Sequence, residues 1–70
     1  MTVSEKIRLL LGRRKMTITA LAGKLGISRQ YLTIKLRGND FTVSELQEIA
    51  AILNCKFESD FIMNDTGERL

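Results

Sequence analysis

The sequence has no histidine, no proline and no tryptophan, and Cys55 is its one cysteine. A single thiol excludes an internal disulfide. Without histidine, a protein zinc site lacks its ligands, and Ser–His or Cys–His nucleophile pairs lack their base. Glu45 and Glu48 stand three residues apart on one expected helix, with no sign of an isolated carboxylate pair, so acid–base catalysis has no support. The expectation is a non-enzymatic chain with no metal, no cofactor and no small-molecule ligand. No apolar run approaches the roughly 20 residues of a membrane span, and no signal-peptide pattern opens the sequence, so no membrane partner and a cytoplasmic location are expected. There is no linker-like, repetitive or low-complexity stretch either, and residues 1–70 read as one domain. A core of that size supplies at most about 3–5 kcal/mol, and pairing with a second copy is the simplest added stabilisation.

Acidic residues are scarce in the first half. Residues 1–38 hold nine Lys and Arg against Glu5 alone, whereas residues 39–70 hold two against seven Asp and Glu. The halves carry +8 and −5, recovering the net +3. Such sorting predicts a positive front suited to a polyanion and a negative back.

Apolar spacing then divides the chain. Val3, Ile7, Leu10 and Leu11 make one stripe of a helix over about 3–14, with Thr2 and Glu5 as a capping box. Gly12 and the basic Arg13–Arg14–Lys15 suit its end. Thr17 opens a helix to Leu25, stopped by Gly26, and Ser28 caps a third running to about Arg37. Gly38–Asn39–Asp40 reads as a loop, and Thr42 with Glu45 opens a fourth helix over about 43–53. Its stripe is Val43, Leu46, Ile49, Ala50 and Leu53, and Asn54 is the stop.

After Asn54 the period falls to two. Phe57, Ser59, Phe61 and Met63 share one face of a strand over about 56–63, and Lys56, Glu58, Asp60 and Asn64 share the other. Asn64–Asp65–Thr66–Gly67 is a turn after which Glu68–Leu70 can fold back. An unpaired strand edge predicts either a homodimer through this strand, with Phe57, Ser59, Phe61 and Met63 at the contact, or a lone hairpin packed on its own helices. The fold class is mainly α: four short helices and a C-terminal strand or hairpin.

Residues 17–38 read as helix, tight glycine turn, helix, and an α-helix with a polar outer side fits the DNA major groove. The run Leu21-Ala22-Gly23-Lys24-Leu25-Gly26-Ile27-Ser28-Arg29-Gln30, with Leu32 behind it, resembles the phage Cro/CI-repressor-like helix-turn-helix family, also called XRE. With its flanking helices the resemblance spans about residues 3–55, and the terminal strand is similar to the Cro branch, where such a strand pairs two subunits. It implies a lambda-repressor-like bundle and a regulator, of repressor type, that binds a palindromic double-stranded operator as a homodimer. It also implies nucleoid association when DNA is bound.

The resemblance assigns base reading to Arg29 and Gln30, at the exposed start of the third helix, with Thr33 and Arg37 continuing that line. Arg pairs bidentately with guanine and Gln with adenine. DNA-backbone contacts fall to Thr17, Thr19, Ser28 and Tyr31, with Lys24, Lys35, Arg14 and Lys15 contributing charge. Ser28 also reads as a simple helix cap, and Tyr31 as a packing residue. Two positions depart from the family: Ile18 stands where a phosphate-clamping glutamine is usual, and Lys35 where a large apolar side chain is buried. Leu36, four residues after Leu32, is expected to take over that core contact. Two other readings remain open. One is an antitoxin-like module that docks a toxin protein through its acidic C-terminal half. The other is a helix-turn-helix used only for protein contacts.

Overall fold

Four hydroxyl side chains start four helices. Thr2, Thr17, Ser28 and Thr42 are extended residues whose oxygens accept the main-chain N–H three residues on, opening α1 (Val3–Arg14), α2 (Ile18–Leu25), α3 (Arg29–Gly38) and α4 (Val43–Ile52). Glu5 and Glu45 return the bond to Thr2 and Thr42, completing both expected capping boxes. These backbone bonds hold both carboxyls below the usual carboxylate range, with Lys35 as a second cause at Glu45. The computed structural model describes all 70 residues.

The first three helices end in the same way. The residue after each helix is left-handed: Lys15 at φ 53°, Gly26 at φ 75° and Asn39 at φ 51°. The next N–H reaches back to a carbonyl five residues earlier, as in Ile27 to Ala22 at 3.0 Å and Asp40 to Lys35 at 3.1 Å. Only Gly26 takes this conformation without a side-chain clash. Gly12, expected at the end of the first helix, lies inside α1, and Gly38, expected in a loop, is the last residue of α3.

One core of 14 buried residues holds the elements together. α1 contributes Ile7, Leu10 and Leu11, α2 Leu21 and Ala22, α3 Leu32 and Leu36, and α4 Leu46, Ile49 and Ala50, with Leu53 just beyond its end. Leu36 does take the core contact that Lys35 leaves. Val43, placed in the α4 stripe by its spacing, is mostly exposed. No helix is long and apolar enough to cross a membrane.

The single strand expected over 56–63 is a hairpin: β1 (Cys55–Phe57) pairs antiparallel with β2 (Phe61–Met63), Phe57 opposite Phe61. Ser59 sits in the connection at φ 85° and belongs to no strand face. Phe61 and Met63 are buried against the helices, and Phe57 meets Phe61 edge-on at 5.0 Å between ring centroids. The outer edge of β2 is closed by the C-terminal residues, with Met63 N–H to Glu68 O at 2.9 Å and Leu70 N–H to Phe61 O at 3.0 Å. Ser59, Phe61 and Met63 therefore do not form an open dimerisation strand. The unpaired edge is the short β1, where Cys55 is buried and Phe57 half-buried. Asn54 and Glu58 turn their main-chain groups towards the β2 side, and by alternation Cys55 and Phe57 turn theirs outward.

Ion pairs clamp the hairpin to α1. Lys6 meets Asp60 at 2.9 Å, Arg13 meets Glu68, and Arg14 meets both oxygens of Asp65 at 2.9 and 3.1 Å. Arg14 also donates to the carbonyls of Leu53 and Asn54 at 2.8 and 3.1 Å. These contacts hold the Asp65 and Asp60 carboxyls below their usual range, through Arg14 and Lys6 respectively, and raise the Arg14 guanidinium further through Asp65.

Candidate nucleic-acid interface

α3 is gripped along one side and bare along the other. Leu32 and Leu36 fix the inner side in the core, with α2 leading into it through the Gly26 turn. At its far end, α3 is tied to the start of α1. The Ser4 hydroxyl donates to the Leu36 carbonyl at 2.6 Å and lies 3.0 Å from Asn39 Oδ1, which also accepts the Ser4 N–H at 2.9 Å. An orphan donor of the first turn of α1 and an end carbonyl of α3 are thus satisfied together. Ser4 is the one buried polar residue of the protein.

On the outer side, Arg29, Gln30 and Arg37 are exposed and make no side-chain hydrogen bond or ion pair within the chain. Together with Thr33 and Ile34 they line one shallow depression. Thr33 is half-buried and its hydroxyl donates to the Arg29 carbonyl at 2.9 Å, leaving its methyl and oxygen lone pairs for an external contact. Ile34 is 65% exposed at the middle of this face. Sequence spacing gave Ile34 no role, although its place two residues from both Leu32 and Leu36 is the signal that it points away from the core.

The residues expected at the DNA backbone divide into two groups. Lys15, Thr19 and Lys24 are exposed without intramolecular partners. Thr17 and Ser28 use their oxygens to cap Ala20 and Tyr31 N–H, both at 3.0 Å, and keep a hydroxyl proton to donate outward. Tyr31 is half exposed. Arg14 and Lys35, also expected at the DNA backbone, are engaged within the chain instead of free. Arg14 is the clamp on Asp65 described above, held there because its guanidinium meets a carboxylate and the two carbonyls at the end of α4 at once. Lys35 bonds Glu45 at 3.0 Å with its side chain 14% exposed, and its ammonium lies 5.4 and 5.6 Å from the Tyr31 and Phe41 ring centroids. Glu45 raises the Lys35 ammonium above its usual range. The pair closes one wall of a cleft of about 140 Å³ between α3 and α4. Ile18, at the departure from the family's glutamine, packs half-buried against the core.

Of the nine cations in residues 1–38, Lys6, Arg13, Arg14 and Lys35 are ion-paired within the chain. Arg8, Lys15, Lys24, Arg29 and Arg37 remain unpaired, three of them on α3 or at the end of α2. The positive front is therefore narrower than the raw charge count, and centred on the helix-turn-helix.

A family profile described as a Cro/C1-type HTH DNA-binding domain matches residues 6–62, well over half of the chain. The chain belongs to the Cro/C1-type helix-turn-helix DNA-binding family. No curated protein and no solved structure matches it significantly. Membership makes this a DNA-binding regulator, and α2, the Gly26 turn and α3 are the helix-turn-helix.

Proposed function

We propose that this Cro/C1-type domain is a repressor that binds a palindromic operator as a homodimer, with α3 of each copy in the major groove of one half-site. One observation carries the reading: Arg29, Gln30 and Arg37 stand without intramolecular partners on the outer face of a helix whose inner face is locked by Leu32 and Leu36. Arg29 reads guanine and Gln30 adenine, Arg37 extends the line, and Thr33 offers its methyl. Thr17, Thr19, Ser28 and Tyr31 position the helix on phosphate or sugar, and Lys15 and Lys24 supply charge. The dimer forms through the outward main-chain groups of β1, beside the half-buried Phe57, in a two-fold contact that sets half-sites about 34 Å apart.

The test is selection of bound fragments from random duplexes, followed by the double variant Arg29→Ala, Gln30→Ala. A palindromic consensus with half-sites one helical turn apart is expected, with each lost base contact lowering affinity by roughly 1–3 kcal/mol. A double variant that binds as the parent does overturns the reading. The antitoxin-like alternative rests on the acidic C-terminal half, of which Asp60, Asp65 and Glu68 are already ion-paired to α1 cations.

A further inference from the structure

Lys35 is charged and mostly buried, and it stands on the flank of α3 that faces α4, apart from the side chains of the outer face. Its ammonium has three neighbours: Glu45 Oε2 at 3.0 Å, the Tyr31 ring centroid at 5.4 Å and the Phe41 ring centroid at 5.6 Å. The Glu45 carboxylate is itself fixed, because its other oxygen accepts the Thr42 N–H at 2.8 Å in the capping box of α4. A line of contacts thus runs from the start of α4 through Glu45 and Lys35 to Tyr31. Tyr31 lies one turn before Lys35 on α3, where side chains four apart are neighbours. It is half exposed and outside the packed core, and its hydroxyl makes no hydrogen bond within the chain. The core therefore does not fix this ring. An ammonium held over the ring face favours one placement of it. A side chain already held in place loses less entropy when a partner binds.

We propose that Lys35 is a positioning residue for DNA binding: held by Glu45, its ammonium fixes the Tyr31 ring so that the hydroxyl is preset to donate to a backbone phosphate. This rests on the Tyr31 backbone contact proposed above. Lys35 touches no DNA itself. It acts through Tyr31, and it links the start of α4 to the flank of α3 by one carboxylate and one ammonium.

Tyr31 is the one tyrosine of a chain without tryptophan, so the near-ultraviolet circular dichroism of tyrosine reports this ring alone. The experiment records that signal, and binding to the selected operator, for the parent, Lys35→Met, Lys35→Arg, Tyr31→Phe and the double variant Lys35→Met, Tyr31→Phe. Methionine keeps the length and helix propensity of lysine and removes only the charge, so Lys35→Met folds, which far-ultraviolet circular dichroism checks. Lys35→Met is expected to weaken the tyrosine signal and to lower affinity by roughly two- to tenfold, the worth of ordering one side chain in advance. Its salt slope stays that of the parent. Lys35→Arg keeps a cation that can meet both Glu45 and the ring, and is expected to restore the signal and the affinity. The double variant is expected to bind as Tyr31→Phe does, because the two residues act as one unit. Four results overturn the proposal: Lys35→Met keeps the parent's tyrosine signal, Lys35→Arg is as weak as Lys35→Met, the two single losses multiply in the double variant, or the salt slope of Lys35→Met falls by about 1, which marks a phosphate contact by Lys35 itself. Tyr31→Phe separates the two levels. If it binds as the parent does, the Tyr31 contact fails and the proposal with it; if it loses affinity while Lys35→Met does not, the positioning role alone fails.

Discussion

Asn39 holds a left-handed backbone at φ 51° where glycine would be less strained, and its side chain accounts for asparagine there. Its Oδ1 receives the Ser4 N–H and lies beside the Ser4 hydroxyl, so one residue both ends α3 and fastens it to α1. Ser4→Ala removes a buried hydrogen bond from the Leu36 carbonyl, which keeps the Asn39 N–H at 3.3 Å, and urea unfolding should show a loss of about 1 kcal/mol. Asn39→Gly removes the same link but relieves the backbone, so it should be more stable than Asn39→Ala by about 1 kcal/mol. The lysines divide in the same manner. Lys24→Ala should lower the slope of log affinity against log salt by about 1, because an unpaired cation near the phosphates releases a counterion. Lys35→Gln should leave that slope nearly unchanged, since the Lys35 ammonium is held by Glu45 beside two aromatic rings. Neither Ser4 nor the fate of Lys35 is legible in the sequence. A residue's type states what it can bond, while its partner is 10 to 35 residues away and known only once the chain has folded.

At the scale of elements, local signals are the ones that survive folding. Caps at Thr2, Thr17, Ser28 and Thr42 act over three residues, and all four helices begin where those side chains predict. The terminal hairpin is different. In a hairpin that pairs Phe57 with Phe61 and Cys55 with Met63, residues of equal parity still face one side. Period-two alternation is therefore identical for one strand and for two, and the turn at Ser59 lacks the glycine or asparagine that would mark it. What holds the hairpin is Phe61 in the core, so Phe61→Ala should cost about 3–5 kcal/mol and leave so small a domain largely unfolded by circular dichroism. The carboxylates clamped to α1 add a pH dependence. Asp60 and Asp65 are held below their ordinary values by Lys6 and Arg14, so their stabilisation is complete above the unfolded-chain value. It fades as pH falls below about 4, through the lowered folded values. Thermal melts should be flat from neutral pH to about 5 and fall in acid, and the double variant Asp60→Asn, Asp65→Asn should start lower and fall less.

At the scale of the molecule, the division of charge along the sequence has two uses. Four ion pairs consume cations of α1 and α3 against acids of α4 and the C-terminal residues, which helps to hold a chain with a modest core. Of the five cations left over, Lys24, Arg29 and Arg37 lie on α2 and α3, the helix-turn-helix. Membership of the Cro/C1-type family and the placement of α3 were legible because the helix-turn-helix is set by local spacing. The clamp was not, because it joins residues more than 50 apart. Dimethyl sulfate footprinting on the selected operator tests the central claim most directly, since it marks guanine N7 in the major groove and adenine N3 in the minor. The account predicts protection of guanine N7 in two half-sites one helical turn apart, lost in Arg29→Ala. Protection confined to adenine N3, or guanine protection unchanged in that variant, would contradict it.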